Sequence, residues 1–333
     1  MAGPQRRLGE NGIIEKYLVP LSHPEMSFGF SDDAAFMRQE ADQHLVMTKD
    51  MLVADIHFFA SDQPDLIARK ALRVNLSDLA AKGAEPVGYL LGLGLPETWS
   101  ESWLAAFCAG LEADQKVFGF PLIGGDTVKS PDRLTLSVTA LGKVPRDKVL
   151  LRKNAKAGDD VYVTGSIGDA ALGLDIIKNE EKYEFLSEQD RAFLKDRFWL
   201  PQPRTGMRPF LRQFATASMD LSDGLIGDAG KMAKAAGVLI ELDETAIPYS
   251  LAASKTIGAL SGSRMLALGG GDDYELLFCA SALMREQIDE AIEQENGLPI
   301  TRIGRVREGH GLKIRDRENA EIDLCQTQGY EHF

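Results

Sequence analysis

The stretch Phe118-Gly119-Phe120-Pro121-Leu122-Ile123-Gly124-Gly125-Asp126-Thr127 decides how the rest of the chain is read. Its apolar approach, Phe118 to Leu122, has strand character. Beyond it, Leu134 to Ala140 alternates apolar and polar like a half-buried strand. Between them, two glycines let a backbone come close to a bulky ligand, and Asp126 puts a carboxylate at that spot. Taken alone, Gly124-Gly125-Asp126 reads as a tight turn. A metal-bound phosphate needs both features, so the question is whether other segments supply partners.

Towards the N-terminus, Glu101 to Val117 reads as an amphipathic helix and Gly88 to Leu95 as an apolar strand stopped by Pro96. Asp65 to Lys82 has helical periodicity. Ile67, Ala71 and Val74 share one face, while Arg69, Lys70 and Arg73 take the other side. Asp78 falls on the apolar face, where a carboxylate is the informative exception. A helix-internal cap around Ser77 and Asp78 is the plain alternative. His44 to Lys49 reads as a strand that runs into Asp50. A carboxylate there is costly if it is buried without a partner. His57 stands in apolar company. Asp32 and Asp33 repel one another unless solvent or a cation intervenes. Asn11 to Val19 has the pattern of a short helix.

Towards the C-terminus, Val144 to Asp160 is rich in Lys, Arg, Pro and Gly and marks a boundary, giving two domains, 1–147 and 148–333. Arg152 lies in this linker. Asp160 to Thr164 reads as a strand, and Gly165-Ser166-Ile167-Gly168 after it as a turn suited to phosphate contact through backbone N–H groups. Pro201 to Pro209 is a connection between helices. Ser218-Met219-Asp220-Leu221-Ser222-Asp223 places two carboxylates and a hydroxyl within four residues. Ser222 or Asp223 could cap the helix Leu225 to Ala236, which Gly237 closes before the strand Val238 to Leu242. Gly271-Asp272-Asp273 again sets acids after glycine and before a strand. Each half thus alternates strands with amphipathic helices, as two domains of α/β (α+β type) architecture would.

Composition narrows the chemistry. Thirty-seven basic against 50 acidic residues leave a net charge of −13, so a general polyanion surface is excluded and nucleic acid is a poor partner. The three cysteines, Cys108, Cys279 and Cys325, are scattered without metal-ligand spacing and read as free thiols in a reducing compartment. No apolar run is long enough to span a membrane and the first ten residues are polar, so a cytoplasmic location is expected. Five loops place aspartates beside small residues: Asp32-Asp33, Asp50, Asp78, Asp126 and Asp220 with Asp223. Oxygen-only donors point to a hard cation such as Mg²⁺, and so many carboxylates call for several ions. Several ions suit a polyphosphate held by an acidic protein, especially if the acceptor is itself a phosphate. Such an acceptor, with a second pKa near ~6, needs no general base.

The ordered set Ser31-Asp32-Asp33, Asp50 with His57-Phe58, Asn75-Leu76-Ser77-Asp78-Leu79-Ala80, Gly124-Gly125-Asp126-Thr127, Asp220-Leu221-Ser222-Asp223-Gly224-Leu225, Gly271-Asp272-Asp273-Tyr274-Glu275-Leu276 and Gly329-Tyr330-Glu331-His332-Phe333 resembles the thiamine-monophosphate kinase family across nearly the whole chain. That family sits in a superfamily with aminoimidazole ribonucleotide synthetase and selenophosphate synthetase. The resemblance implies two such domains and a homodimer joined through the N-terminal sheets. It implies ATP as co-substrate, thiamine monophosphate as acceptor, and thiamine diphosphate as product. It also implies that Asp33, Asp50, Asp78, Asp126 and Asp220 ligate Mg²⁺, with Thr48 helping and Asp223 holding a further ion. Asp126, Asp50 and Asp78 would carry the catalysis. Gly125, Asp126, Arg152 and Ser222 would contact ATP. His57, Asp272 and Tyr330 would face thiamine monophosphate.

The chain departs from the family pattern at Ser31, Lys49, Met51 and Asp272. Asp272 is one methylene shorter than the usual Glu. Lys49, next to Asp50, is expected to replace part of the charge of one Mg²⁺. Two other readings stand beside the kinase: another ATP-dependent reaction of the superfamily such as amidine ring closure, and a nucleotide-binding regulator without catalysis. Selenophosphate synthesis is disfavoured because no cysteine lies near the N-terminus.

Overall fold

A computed structural model describes residues 8–27, 30, 34, 37, 40–294 and 297–322. Ser31, Asp32, Asp33, Cys325 and the tail motif with Tyr330 lie outside the described residues. The described residues divide into two compact units, one within Met1–Leu79 and Ala84–Asp147, the other within Ala80–Gly83 and Lys148–Phe333. Both mix strands and helices, as the α/β reading requires.

The first unit carries strands β1 (Gln43–Val53), β2 (Glu85–Leu95), β3 (Leu122–Lys129) and β4 (Thr135–Pro145) in the sheet order β1-β4-β2-β3. β4 runs antiparallel to β1 and β2, and β3 parallel to β2. Helices α1 (Pro64–Ala81) and α2 (Glu101–Phe118) supply the links. The ends of α2 follow from its flanks. Ser100 accepts from the Trp103 N–H, and Gly119 leaves the helix at a φ of 62°.

Three expectations change here. Gly124-Gly125-Asp126 is not a turn but the body of β3, paired with Leu90-Leu91-Gly92. The sheet itself selects the glycine, since a Cβ on Gly125 would lie 2.0 Å from the Leu91 carbonyl oxygen. The N-terminal helix is wound unevenly, as an α-turn Glu10–Ile13, a π-turn Ile14–Leu18 and a 3₁₀ turn Val19–Leu21 that contains Pro20, whose missing N–H bars a regular continuation. Finally, the basic side of α1 is not a solvent face: Lys70 and Arg73 are buried. Asp114 of α2, fully buried, receives Arg73 at 2.6 and 3.0 Å and Arg69 at 3.0 Å. Breaking such a buried pair from one side costs about 3–5 kcal/mol.

The second unit is a six-stranded sheet of β5 (Asp159–Thr164), β6 (Ala215–Asp220), β7 (Leu239–Asp243), β8 (Leu276–Ser281), β9 (Ile300–Arg307) and β10 (Gly311–Arg315). The order is β10-β7-β9-β5-β8-β6, parallel only between β10 and β7. Val161, Val163, Leu277 and Cys279 face one core with Ala229 and Met232 of the helix α6 (Leu225–Ala236). Tyr162, Leu276 and Phe278 face the other with Phe210 and Phe214 of α5 (Arg208–Phe214). Burial on both faces explains the consecutive apolar residues Val161-Tyr162-Val163 of β5 and Leu276 to Ala280 of β8. Helices α3 (Asp169–Lys178), α4 (Glu188–Trp199), α7 (Leu251–Ala259), α8 (Ser263–Gly269) and α9 (Arg285–Gln294) complete the unit. No described helix is long and apolar enough to cross a membrane.

Candidate active site

In the first unit the sheet brings three of the expected ligands together. Thr48 and Asp50 share a face of β1, because alternate residues of a strand point the same way. Asp78, near the end of α1, accepts the Thr48 hydroxyl at 2.5 Å. Burial, and then the negative charge of Asp78, push the Asp50 carboxyl up to about 7. The Ser77 hydroxyl is buried without a hydrogen-bond partner, so the capping alternative at this position falls away. Lys49 is exposed and lies with Met47 and Met51 on the opposite face of β1 from Thr48 and Asp50. Its ammonium therefore points away from Asp50, and the expectation that it stands in for Mg²⁺ charge is withdrawn.

Asp126 is also exposed, on edge strand β3. It lines a cavity of about 710 Å³ with Gly92, Gly125, Thr127, Ser137 and Thr139, and neither Asp50 nor Asp78 lines this cavity. Among the described residues, no three His, Cys, Asp or Glu side chains gather closely enough to hold one metal ion. His57 follows β1 and accepts the Val53 N–H on Nδ1 at 3.1 Å, which puts the proton of the neutral ring on Nε2.

In the second unit, β6 delivers the nearly buried Asp220 to its end, and the chain turns through Leu221-Ser222-Asp223 into α6. Gly224, at a φ of 96°, takes the N-cap position without a side-chain bond, so neither Ser222 nor Asp223 is spent on capping. The 3₁₀ turn Arg152–Asn154 packs against β6 and α6, which sets the exposed Arg152 beside the elements that carry Asp220 and Asp223. Asp223 already has an organic cation, since Lys231 donates to it and, at 2.9 Å, to the buried Asp228. Asp228 also accepts the Asp223 N–H at 2.9 Å. Sequence reasoning missed Lys231 and Asp228. Their only signal is the spacing Asp223, Asp228, Lys231 around the start of a helix.

The Gly271 to Leu276 segment alternates in function. Asp272 and Tyr274 are half-buried, whereas Asp273 and Glu275 point inward. Glu275, fully buried, accepts from Thr164 at 2.7 Å, Arg197 at 2.8 Å and Arg204 at 2.6 Å. Asp273 accepts the Gly168 N–H at 2.9 and 3.0 Å. The Gly165 and Ile167 N–H groups go to the carbonyls of Pro299 and Pro248. The Gly165 to Gly168 turn thus spends these three N–H groups inside the fold, which corrects its reading as a phosphate cradle. Its glycines answer to packing. A Cβ on Gly165 would meet Glu275 at 2.1 Å, and one on Gly168 would meet Ala267 at 2.3 Å. Arg197 and Arg204 carried no sequence signal of this partnership. Asp272 is half-buried and remains the expected acceptor contact.

Comparison with known proteins adds to this geometry. The family model described as AIR synthase related protein, N-terminal domain, matches residues 31–144, and its C-terminal counterpart matches residues 156–317. The thiamine-monophosphate kinase of Salmonella typhimurium is 40% identical over 98% of each chain. The crystal structure of the thiamine-monophosphate kinase from Stenotrophomonas maltophilia is 39% identical, superposes with a TM-score of 0.80, and covers 89% of this chain and 93% of its own. AaThiL complexed with AMPPCP and TMP is 30% identical, with a TM-score of 0.77 over 100% of both chains. Matched over 98% of its length by a thiamine-monophosphate kinase at 40% identity, and over residues 31–144 and 156–317 by the two domain models, the chain belongs to the thiamine-monophosphate kinase family.

Proposed function

We propose that this chain transfers the γ-phosphoryl group of ATP directly to the phosphate of thiamine monophosphate, giving ADP and thiamine diphosphate, the last step of thiamine diphosphate biosynthesis. The observation that carries the reading is the full-length likeness to AaThiL complexed with an ATP analogue and TMP. The acceptor phosphate, ionised near neutral pH, attacks the γ-phosphorus without a general base, and the ADP oxygen departs. The chain's task is then to position two anions and relieve their repulsion.

In kind, the donor set suits Mg²⁺. Its atoms are oxygens only, and Asp50 beside Asp78 is a carboxyl that a divalent cation would return to its charged form. Asp33, Thr48, Asp50, Asp78, Asp126, Asp220 and Asp223 would hold the ions. Bound there, Mg²⁺ would supply positive charge against the repulsion between the donor and acceptor phosphates. Gly125, Asp126, Arg152 and Ser222 would bind ATP. His57, Asp272 and Tyr330 would orient thiamine monophosphate, the tyrosine face suiting its cationic thiazolium ring. The two domains, 1–147 and 148–333, would share this work, in the cytoplasm where ATP and reduced thiols are at hand.

A homodimer through the first unit's sheet is part of the same reading. One face of that sheet exposes Leu45 (38%), Met47 (66%), Met51 (54%) and Leu90 (36%), an apolar set that a second copy would cover. The catalytic assignment is tested with Asp126→Asn. On an exposed edge strand this change should leave stability within about 0.5 kcal/mol while product formation is lost. Wild-type turnover in the variant would remove Asp126 from the mechanism.

A further inference from the structure

Asp272 and Tyr274 both hold left-handed backbone conformations, at φ values of 64° and 50°. Such positions are costly for residues with bulky side chains and persist only where surrounding bonds over-determine them. Here they are over-determined. The Asp272 N–H donates to the Ser222 carbonyl at 2.8 Å, the Tyr274 N–H to the Leu221 carbonyl at 2.8 Å, and the Leu221 N–H to the Glu275 carbonyl at 2.9 Å. Gly271 is pressed on the same loop, since a Cβ there would lie 2.4 Å from the Ser222 carbonyl oxygen. Below them, Asp273 and Glu275 are pinned by Gly168, Thr164, Arg197 and Arg204. The segment is thus clamped to the Leu221 to Asp223 loop, and its twist turns two successive odd-and-even side chains to opposite sides. On the outer side, the Tyr274 hydroxyl donates to Asp272 Oδ1 at 3.2 Å.

We propose that Tyr274 is a positioning residue for the acceptor: its phenol fixes the carboxylate of Asp272, and the doubly left-handed backbone exists to bring the two side chains together. The short aspartate side chain has a small reach and depends on being aimed, and the tyrosine does the aiming. The inference rests on the reading that Asp272 faces thiamine monophosphate.

The test is a cycle of Tyr274→Phe, Asp272→Asn and the double variant, with KM for thiamine monophosphate, KM for ATP and kcat measured for each. Tyr274→Phe keeps the ring and the backbone and removes only the hydroxyl. Loss of a hydrogen bond to a charged group should raise the acceptor KM about ten-fold, with ATP KM and melting temperature unchanged. In the Asp272→Asn background the same change should add little, because the group it aims is gone. If Asp272→Asn raises the acceptor KM but Tyr274→Phe does not, the positioning role is overturned and the role of Asp272 stands. If Asp272→Asn itself leaves the acceptor KM unchanged, the reading of Asp272 fails and takes the inference with it. If Tyr274→Phe raises both KM values or lowers the melting temperature, the hydroxyl is a general structural contact and the inference fails.

Discussion

The hydroxyl of Thr48 on β1 donates to the carboxylate of Asp78 on α1 at 2.5 Å, joining two residues thirty positions apart. The bond uses one lone pair of Asp78 and leaves the rest available. It also keeps the Asp78 charge near Asp50, which burial and that charge together hold at about 7. Two acids kept close at such a cost make sense where a cation is to be received. The same contact ties the C-terminal part of α1 to β1, beside the buried apolar residues Leu72, Leu76 and Leu79 of that helix.

The edge strand gives a first prediction. Gly125→Ala places a methyl group 2.0 Å from the Leu91 carbonyl oxygen, whereas Gly124→Ala meets only the flexible end of Leu90 at 2.9 Å. Backbone cannot yield as a side chain can. Urea unfolding should show Gly125→Ala destabilised by about 1–3 kcal/mol and Gly124→Ala by clearly less. Equal losses would mean that β3 does not lie as described.

The sheet face of the first unit gives a second. Met47→Glu puts a charge in the centre of the exposed apolar set without touching a predicted ligand. Sedimentation should find the wild type at twice the chain mass and the variant at the single-chain mass, because burying an unpaired carboxylate costs several kcal/mol. A variant that still sediments as a dimer would place the interface elsewhere.

Asp273 gives a pH-dependent one. Its carboxyl is raised well above 3.8, first by burial and then by Asp169 and Glu275, against the opposing pull of the Gly168 N–H. A carboxyl raised on folding contributes stability that is whole below its unfolded value and lost as pH rises through its folded value. Asp273→Asn cannot ionise. The stability difference between wild type and variant should therefore shift in favour of the variant as pH rises from 4 to 8, measured by denaturant midpoints at each pH. A difference independent of pH would show that Asp273 does not change protonation on folding.

Much of the fold was legible where one face of an element is wet. The helices at Glu101 and Leu225 and the strand from Gly88 to Leu95 came out within a few residues of the periodicity reading. The misreadings have a common physical source, which is burial supplied by a distant partner. Lys70 and Arg73 looked like a solvent face until α2 presented Asp114. Gly124-Gly125 looked like a turn because no local pattern shows that β2 crowds β3. The Gly165 to Gly168 turn looked open until Asp273 and two proline carbonyls took its N–H groups. At the site, local sequence placed the aspartates but not their sides. Strand alternation alone separates Lys49 from Asp50, and it could have been applied to the sequence once β1 was seen to continue through Asp50. Asp33 and Tyr330 lie outside the described residues and rest on the family motif.

The central claim is most directly tested by incubating the purified chain with ATP, Mg²⁺ and thiamine monophosphate and following the reaction by ³¹P nuclear magnetic resonance. The account predicts that the acceptor's single resonance is replaced by the coupled pair of a diphosphate ester as ADP appears in equal amount, and that a chelator stops both changes. ADP accompanied by free phosphate, with the acceptor resonance unchanged, would contradict it.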